Sequence, residues 1–263
     1  MKPRAGLTIF FGMLGGFLIA EEAPSTRRQV NLSAVQGPLT SEMAGKLFGQ
    51  NLFSPERGWA EVQDGILTVT FKEGKKVNGT GLSLHVPVEM TGTGELQFRI
   101  HYPEDFPAGI HGKQMGFSGG RGYDGGRGEE AREHGDGWSA RMMFTAKPAG
   151  VEIGLYVYHA DMTGKYGDPL RTEKFQLLRG SWHAIRFVVT PQTSAERADG
   201  RIEVWCDGER KICRDGIRFA RMEDGVGINR VRLELFPGGG GDSPPQDLRV
   251  DLSGLSWGPA MCP

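Results

Sequence analysis

Residues 151–158 read Val-Glu-Ile-Gly-Leu-Tyr-Val-Tyr, and apolar residues occupy every second position of this stretch. Successive side chains of a β-strand point to opposite faces of a sheet. One face of the segment therefore predicts a hydrophobic core, and the other carries Glu152, Gly154, Tyr156 and Tyr158. The segment is interpreted as a strand whose polar face presents two neighbouring tyrosines.

The same alternation recurs along most of the chain, with turn residues between the segments and almost no helical periodicity. A period of two over many short segments predicts an all-β fold, an antiparallel β-sandwich. The further predicted strands are Ile66 to Phe71, Leu82 to Val86, Glu95 to Tyr102, Trp138 to Phe144, Trp182 to Val189, Ile202 to Cys206, Val231 to Phe236 and Leu248 to Trp257.

The N-terminus resembles an export signal. Lys2 and Arg4 precede an apolar run that ends at Ala20. We expect residues 1–20 to be removed as a signal peptide, although a retained membrane anchor is the alternative. The rest divides into a flexible segment, 21–35, and a single domain, 36–263. A secreted or periplasmic protein with no membrane attachment after signal removal is expected.

The composition limits the classes of molecule that this protein is expected to bind. Lys and Arg number 31 against 32 Asp and Glu, which gives a formal net charge of -1 and does not favour a nucleic-acid partner. Attraction for a polyanion must then come from a local cluster of cations.

Cys206 and Cys213 flank a predicted turn, and both a disulfide and a reduced pair are compatible with that spacing. The Cys and His spacings predict no metal site, no cofactor is predicted, and a monomer is expected.

Cations and hydroxyl groups accompany the two tyrosines. Ser139 and Arg141 share one face of a preceding strand, and Lys113 lies in a glycine-rich stretch, 109–128. A second glycine-rich stretch spans 238–241. Each stretch can be a solvated loop or backbone that passes close to a ligand. For 109–128, the accompanying cations favour backbone close to a ligand. Arg99 and His101 share the polar face of an earlier strand and could extend the site.

This set of side chains suits chemistry on a carboxylated sugar. Arg or Lys can neutralise the carboxylate, which acidifies the proton on the adjacent ring carbon. A Tyr or Lys can accept that proton, and a second hydroxyl can protonate the departing oxygen, so the reaction is a β-elimination. Hydrolysis needs two paired carboxylates. Of the candidate acids Glu152, Asp161, Glu203 and Glu234, only Glu152 lies on the predicted face.

An ordered series of motifs resembles the alginate and glucuronan lyases of polysaccharide lyase family 14. The resemblance covers approximately Leu96 to Gly240. It rests on Tyr102-Pro-Glu-Asp-Phe106, Gly112-Lys-Gln-Met-Gly-Phe-Ser-Gly-Gly120, Gly137-Trp-Ser-Ala-Arg-Met-Met143, Leu155-Tyr-Val-Tyr158, Gly180-Ser-Trp-His183, Asp199-Gly-Arg-Ile-Glu-Val-Trp-Cys-Asp-Gly208 and Phe236-Pro-Gly-Gly239. Gln114-Met115 departs from the leucine and proline usual after the lysine.

The resemblance implies a concanavalin-like jelly roll with a cleft on the concave sheet. It also implies a catalytic set of Lys113, Ser139, Arg141, Tyr156 and Tyr158. Arg99 and His101 are substrate-binding candidates from their position on the polar strand face alone. Lys113 and Arg141 would bind the carboxylate of an acidic polysaccharide, and a tyrosine, helped by Lys113 or Ser139, would transfer protons. A free phenol titrates near pH ~10, so a tyrosine base implies cationic neighbours or an alkaline optimum.

The function expected from these observations is cleavage of a 4-linked polyuronate, alginate or glucuronan. Two other classes stay open: a jelly-roll carbohydrate-binding module or lectin without turnover, and a structural surface protein whose site has decayed.

Overall fold

The computed structural model describes residues 27–49, 52–53 and 59–260. The predicted signal peptide, 1–20, lies outside them, as does Cys262. The first strands are β1 (Arg28–Gln29), β2 (Gly37–Pro38), β3 (Leu52–Phe53), β4 (Ala60–Gln63), β5 (Ile66–Phe71), β6 (Leu82–Met90), β7 (Gly94–His101) and β8 (His111–Gly120). They are followed by β9 (Gly137–Lys147), β10 (Gly150–Tyr158), β11 (Phe175–Leu177), β12 (Trp182–Thr190), β13 (Gly200–Cys206), β14 (Glu209–Ile217), β15 (Ile228–Pro237) and β16 (Leu248–Pro259). The helices are α1 (Ser41–Phe48) and α2 (Gly128–His134), with 3-10 turns at Leu32–Ala34, Val77–Gly79 and Glu223–Gly225.

Two antiparallel sheets form a jelly-roll sandwich, which confirms the predicted all-β class. In the described residues, the outer sheet has the order β14-β13-β12-β7-β16-β5-β4-β2, with β1 added to β16. The second sheet, here called the site sheet, has the order β11-β10-β9-β8-β15-β6-β3. Strands β9, β8 and β15 lie at its centre, where they position the polar residues described below.

The core lies between the sheets and is rich in aromatic side chains. Phe117 of the site sheet stacks on Phe187 of the outer sheet with 6.1 Å between ring centres. Phe71 and Phe144 make a second stacked contact across the sandwich at 5.8 Å. The apolar face of β10 belongs to this core, as its alternation predicts. Burial of such aromatic area is the main source of stability in a sandwich of this kind.

The glycine-rich stretch 109–128 contains a strand, so the interpretation of this stretch as a loop is wrong for residues 111–120. His111–Gly120 forms β8, which pairs with β9 on one side and β15 on the other. A Cβ at Gly112 would lie 1.9 Å from the carbonyl oxygen of Phe236, and one at Gly116 would lie 2.0 Å from that of Ala140. These glycines therefore admit the backbone of neighbouring strands. The residues on either side of this strand are not in a strand, and the segment after Gly120 leads into α2.

We expect Gly116→Ala to destabilise the fold by about 1–3 kcal/mol or more, because the neighbouring backbone must move to accept the methyl group. Gly240→Ala is the matched control, since nothing lies within 4 Å of its added Cβ. Chemical denaturation of both variants measures the change. Equal unfolding free energies for the two variants would refute a close-packing role for Gly116.

Part of the segment expected to be flexible, 21–35, makes contacts with the sandwich. Arg28–Gln29 pairs with β16, and the backbone N–H of Val30 donates to the carbonyl oxygen of Leu255. Val30 and Leu32 are buried in the core. These contacts join the described residues 27–35 to the domain, and the flexibility of 21–35 stays a prediction.

The two cysteines do not face each other. Cys213 of β14 pairs with Glu203, whereas Cys206 of β13 pairs with Glu209, and both thiols are free. The register between the two strands keeps the thiols apart, and the disulfide alternative is wrong for this pair. None of the helices described is long and apolar enough to cross a membrane.

Candidate active site

Strands β9 and β10 bring the predicted polar residues face to face. Tyr156 pairs with Arg141, and Tyr158 pairs with Ser139. The pairing of β9 with β10 therefore puts these four side chains on one face of the sheet. On the other side of β9, Lys113 of β8 pairs with Met143, so that Lys113, Arg141 and Tyr156 come from three adjacent strands.

A local irregularity turns Lys113 toward these partners. The register of β8 shifts against β9 between Lys113 and Gly116, and β15 shifts against β8 between Arg232 and Phe236. Extra residues in paired strands bend the sheet and re-aim side chains, and such bulges are frequent beside active sites. The alternation of the sequence does not reveal them.

The polar residues line a cavity of about 540 Å³ on the site sheet. Its lining includes the predicted Lys113, Arg141 and Tyr156, and also Ser83, His85, Asp124, Tyr166, Arg232 and Glu234. Lys113 Nζ lies 3.2 Å from the centre of the Tyr156 ring, and the Arg141 guanidinium carbon lies 5.5 Å from the same point. Two cationic side chains thus flank one phenol in a water-accessible pocket.

The ammonium group of Lys113 is in an unfavourable environment for its charge. The side chain is only 9% exposed. Burial, followed by repulsion from Arg141, lowers the pKa of Lys113 to about 7, although Glu234 partly opposes this shift. An amine with this pKa is partly neutral near neutral pH and can accept a proton.

Arg141 is held by a buried acid that sequence reasoning missed as a site residue. Its Nη1 donates to Glu234 Oε2 at 2.9 Å, while its Nε has no protein partner among the described residues. Glu234 also accepts from Arg232 Nε at 3.0 Å, and its Oε1 lies 2.9 Å from His85 Nε2. Burial alone would raise the pKa of Glu234, but Arg232, Arg141 and the His85 hydrogen bond hold it well below its usual range.

A second acid, Asp124, completes the charge balance of this network. It forms an ion pair with Arg232 and a second one with Arg127 at 3.1 Å. Burial would raise the pKa of Asp124, but the guanidinium of Arg232 lowers it below its ordinary value. The buried arginines Arg141 and Arg232 are thus offset by Glu234 and Asp124, while Arg127 is a further, more exposed partner of Asp124.

Ser139 and Tyr158 lie on the predicted face but beneath the cavity, fully buried. Ser139 Oγ donates to the carbonyl oxygen of Tyr123 at 2.5 Å, and the Tyr158 hydroxyl accepts from the N–H of Gly126 at 2.9 Å. Burial and the adjacent Tyr156 hydroxyl raise the pKa of Tyr158 above that of a free phenol. Both side chains thus position the loop that precedes α2, and Tyr158 is poorly suited to act as a base.

Arg99 and His101 are not part of this cavity, and the expectation that they extend the site is corrected. They lie on β7 of the outer sheet, where Arg99 stacks on Trp182 at 5.4 Å and His101 Nδ1 lies 3.4 Å from Asp251. Alternation assigns residues to one face of a strand, but it does not tell which sheet the strand joins.

The acids considered for hydrolysis are each engaged by cations. Glu152 accepts from Lys174 Nζ at 2.8 Å, and Asp161 accepts from Arg218 at 2.7 Å. Glu203 accepts from Arg210 at 3.1 Å on the outer sheet. Of these four acids, Glu234 lines the cavity of about 540 Å³, and it is held between Arg141 and Arg232. A signal for it existed: Arg232 and Glu234 alternate in the predicted strand Val231 to Phe236, as Ser139 and Arg141 do in theirs.

One described group has donor atoms close enough to hold a metal: His183, Cys206 and Asp207, within 4.8 Å of one another. The geometry also serves the local turn, because His183 Nδ1 lies 2.7 Å from Asp207 Oδ2 and Asp207 Oδ1 accepts from the N–H of Ala184. Burial, followed by the nearby Asp207, raises the pKa of Cys206 to about 12, which disfavours the thiolate that a metal requires. This group lies on the outer sheet, away from the cavity.

Several solved structures share the fold of this chain. Alginate lyase Aly36B is 24% identical, with a TM-score of 0.77 and coverage of 89% of this chain and 97% of its own. Alginate lyase vAL-1 from Chlorella virus is 18% identical, with a TM-score of 0.66 and coverage of 89% and 99%. The endo-β-1,4-glucuronan lyase from the fungus Trichoderma reesei is 14% identical, with a TM-score of 0.51 and coverage of 90% and 96%. No similar curated protein is found.

The family model described as polysaccharide lyase 14 matches residues 60–251. This range contains the strands β4 to β15 in full and all of the cavity-lining residues named above. The match therefore includes both the sandwich and the site, and the chain belongs to the polysaccharide lyase 14 family.

Proposed function

We propose that this protein cleaves a 4-linked polyuronate, alginate or glucuronan, by β-elimination. The observation that carries the proposal is the meeting of Lys113, with a pKa of about 7, Arg141 and Tyr156 in one cavity. Structures of two Aly36B variants are complexes with an alginate tetrasaccharide and an alginate trisaccharide, which supports an acidic polysaccharide as the ligand of this fold.

Arg141 is the residue that binds the uronate carboxylate in this proposal. Its guanidinium is already fixed by the hydrogen bond to Glu234. The guanidinium lines the cavity, and a preorganised cation there stabilises the negative charge that develops on the carboxylate during proton loss. Because Glu234 fixes the guanidinium before substrate arrives, little reorganisation accompanies the reaction.

Lys113 and Tyr156 would then move the protons. The neutral amine of Lys113 takes the proton from the ring carbon next to the carboxylate, and the released electron pair forms a carbon–carbon double bond. The glycosidic carbon–oxygen bond at the neighbouring ring position breaks, and the Tyr156 hydroxyl donates its proton to the departing oxygen. The products are an unsaturated sugar at the new non-reducing end and a shortened chain with a free hydroxyl group.

The test of the function is the ultraviolet absorbance of the unsaturated uronate during incubation with a panel of polymers. The panel contains alginate, polymannuronate, polyguluronate, glucuronan and pectate, each at neutral and alkaline pH. We expect the absorbance to rise with alginate or glucuronan. A flat trace across the panel, with retained binding to one polymer, would favour a carbohydrate-binding protein without turnover.

The two tyrosines are expected to differ in their effect. Tyr156→Phe removes the proposed acid at the cavity and should lower kcat by about 10²-fold, within the usual range for general acid catalysis. Tyr158→Phe removes a buried acceptor of the Gly126 N–H and should lower kcat by less than about 10-fold, through the loop that it positions. Initial rates on the preferred polymer measure both. The reverse order of effects would assign the acid to Tyr158.

We also propose that the mature protein acts outside the cytoplasm as a monomer. The basic and apolar character of residues 1–20 supports export. Fractionation of expressing cells, followed by mass determination of the exported form, tests both statements.

A further inference from the structure

The cleft continues beyond Tyr156 into a second cavity, of about 390 Å³. Tyr156 lines both cavities and divides them. The second cavity is bounded by His111, Met143, Thr145, Lys147, Gly154 and Lys174. None of these residues belongs to the proposed acid and base set. The reaction proposed for the first cavity therefore gives them no role.

A missing side chain creates this space. Gly154 pairs with Met143 and stands between Glu152 and Tyr156 on the polar face of β10. A Cβ at Gly154 would lie 3.3 Å from the Lys174 side chain, so a larger residue there would occupy part of the cavity or displace Lys174. The glycine keeps open a groove that runs along the strands from the first cavity.

Two lysines, Lys147 and Lys174, and one acid, Glu152, line the second cavity, so positive charge is in excess there. Lys174 is paired with Glu152 at 2.8 Å, but Lys147 is exposed and has no ion-pair partner within the described part of the chain. Burial, and after it the positive charges of Lys113, Lys76 and Lys147, lower the pKa of His111. An unpaired cation beside a groove lined by lysines attracts anionic groups.

The position of Lys147 indicates which part of a ligand it would contact. Arg141 and Lys147 lie six positions apart on the extended strand β9, which separates their Cα atoms by about 20 Å. Both side chains stand on the same face. A carboxylate at Lys147 therefore belongs to a different sugar from the one held at Arg141.

We propose that the second cavity is a remote uronate subsite, in which Lys147 binds the carboxylate of a sugar further along the same chain. The inference rests on the proposed function, and it names the substrate as a polyuronate long enough to span both cavities. A short oligosaccharide that fills only the first cavity does not reach Lys147.

Lys147→Ala tests the subsite, with Lys46→Ala as the matched control. Lys46 is exposed on α1 and carries the same charge, but it lies outside both cavities. We expect Lys147→Ala to raise KM for the polymer and for long oligouronates about 3- to 10-fold, as for loss of one charge-assisted contact. Its kcat should be unchanged, and its KM for the shortest cleaved oligouronate should equal that of the wild type.

A second variant and a binding measurement keep the two proposals separate. Gly154→Val occupies part of the cavity or displaces Lys174 without changing charge, and it should give the same length-dependent rise in KM. Retardation in native gels that contain alginate or glucuronan measures binding without turnover, so a protein that cleaves nothing still reports on Lys147. Unchanged retardation and unchanged KM at all lengths in both variants, or an equal loss in Lys46→Ala, would overturn the subsite and leave the lyase function standing.

Discussion

Lys113→Arg is expected to lower kcat/KM by on the order of 10³-fold, as severely as Lys113→Met, because arginine keeps the charge but cannot release its proton. For a lysine that only binds the substrate carboxylate, arginine should cause a smaller loss than methionine, because arginine keeps the positive charge and its donors whereas methionine removes both. The comparison thus separates a base from a carboxylate ligand at one position. Lys46→Arg is the control for a change of the same kind far from the cavity.

The pH dependence of the wild type gives an independent measure of the same role. The pKa of Lys113 is lowered to about 7, so the proton-accepting amine is the minor form below that pH and the major form above it. Since kcat/KM reports the free enzyme, it should rise as pH increases through about 7. A lysine that acts as a cation would produce the opposite slope. A kcat/KM that falls above pH 7, or a Lys113→Arg variant with more than about a tenth of wild-type activity, would contradict the assignment.

The sequence predicted the two strands that carry the site, β9 and β10, better than it predicted the strands and loops around them. The alternation at residues 137–144 and 151–158 placed Ser139, Arg141, Tyr156 and Tyr158 on one face, and the register of β9 and β10 agrees. Local alternation suffices for this purpose because the side-chain period of a strand does not depend on its neighbours. Nothing in the period tells which of those residues a loop from another part of the chain will cover. Ser139 and Tyr158 are accordingly buried, while Arg141 and Tyr156 meet the cavity.

The features that the sequence did not predict depend on contacts between distant parts of the chain. β8 contains glycines where the backbones of Phe236 and Ala140 approach, and its low apolar content resembles a loop when read alone. Glu234 resembled any other acid, because its partners are brought together from β6 and β9 only by the sheet order. Strand propensity and side-chain period can be read from a short stretch of sequence. The pairing of distant strands cannot.

Glu234→Gln is the change expected to have the largest effect on stability. The substitution leaves Arg141 and Arg232 buried with one fewer counterion, and breaking a buried pair of this kind costs about 3–5 kcal/mol of unfolding free energy. Chemical denaturation at neutral pH measures the loss. Glu42→Gln, which removes an exposed partner of Lys46 on α1, should leave the unfolding midpoint unchanged.

The same variant links stability to pH with a definite sign. The pKa of Glu234 in the folded protein lies well below its usual range, so the carboxylate contributes stability that is fully present above the unfolded pKa of about 4.3. That contribution is lost as pH falls from there through the folded pKa. Glu234→Gln lacks this titration, and its unfolding free energy should therefore decline less steeply with acid than that of the wild type.

Glu234→Gln should also move the activity profile, which a purely structural role would not do. The negative charge of Glu234 raises the pKa of Lys113 and partly offsets burial and Arg141. Its removal should shift the rise of kcat/KM to a pH below the wild-type midpoint, because the ammonium form of Lys113 loses a stabilising neighbour. Measurement of kcat/KM against pH for folded Glu234→Gln, at a temperature well below its unfolding midpoint, tests this. An unshifted profile in a destabilised variant would restrict Glu234 to holding Arg141 and would remove it from the electrostatics of the base.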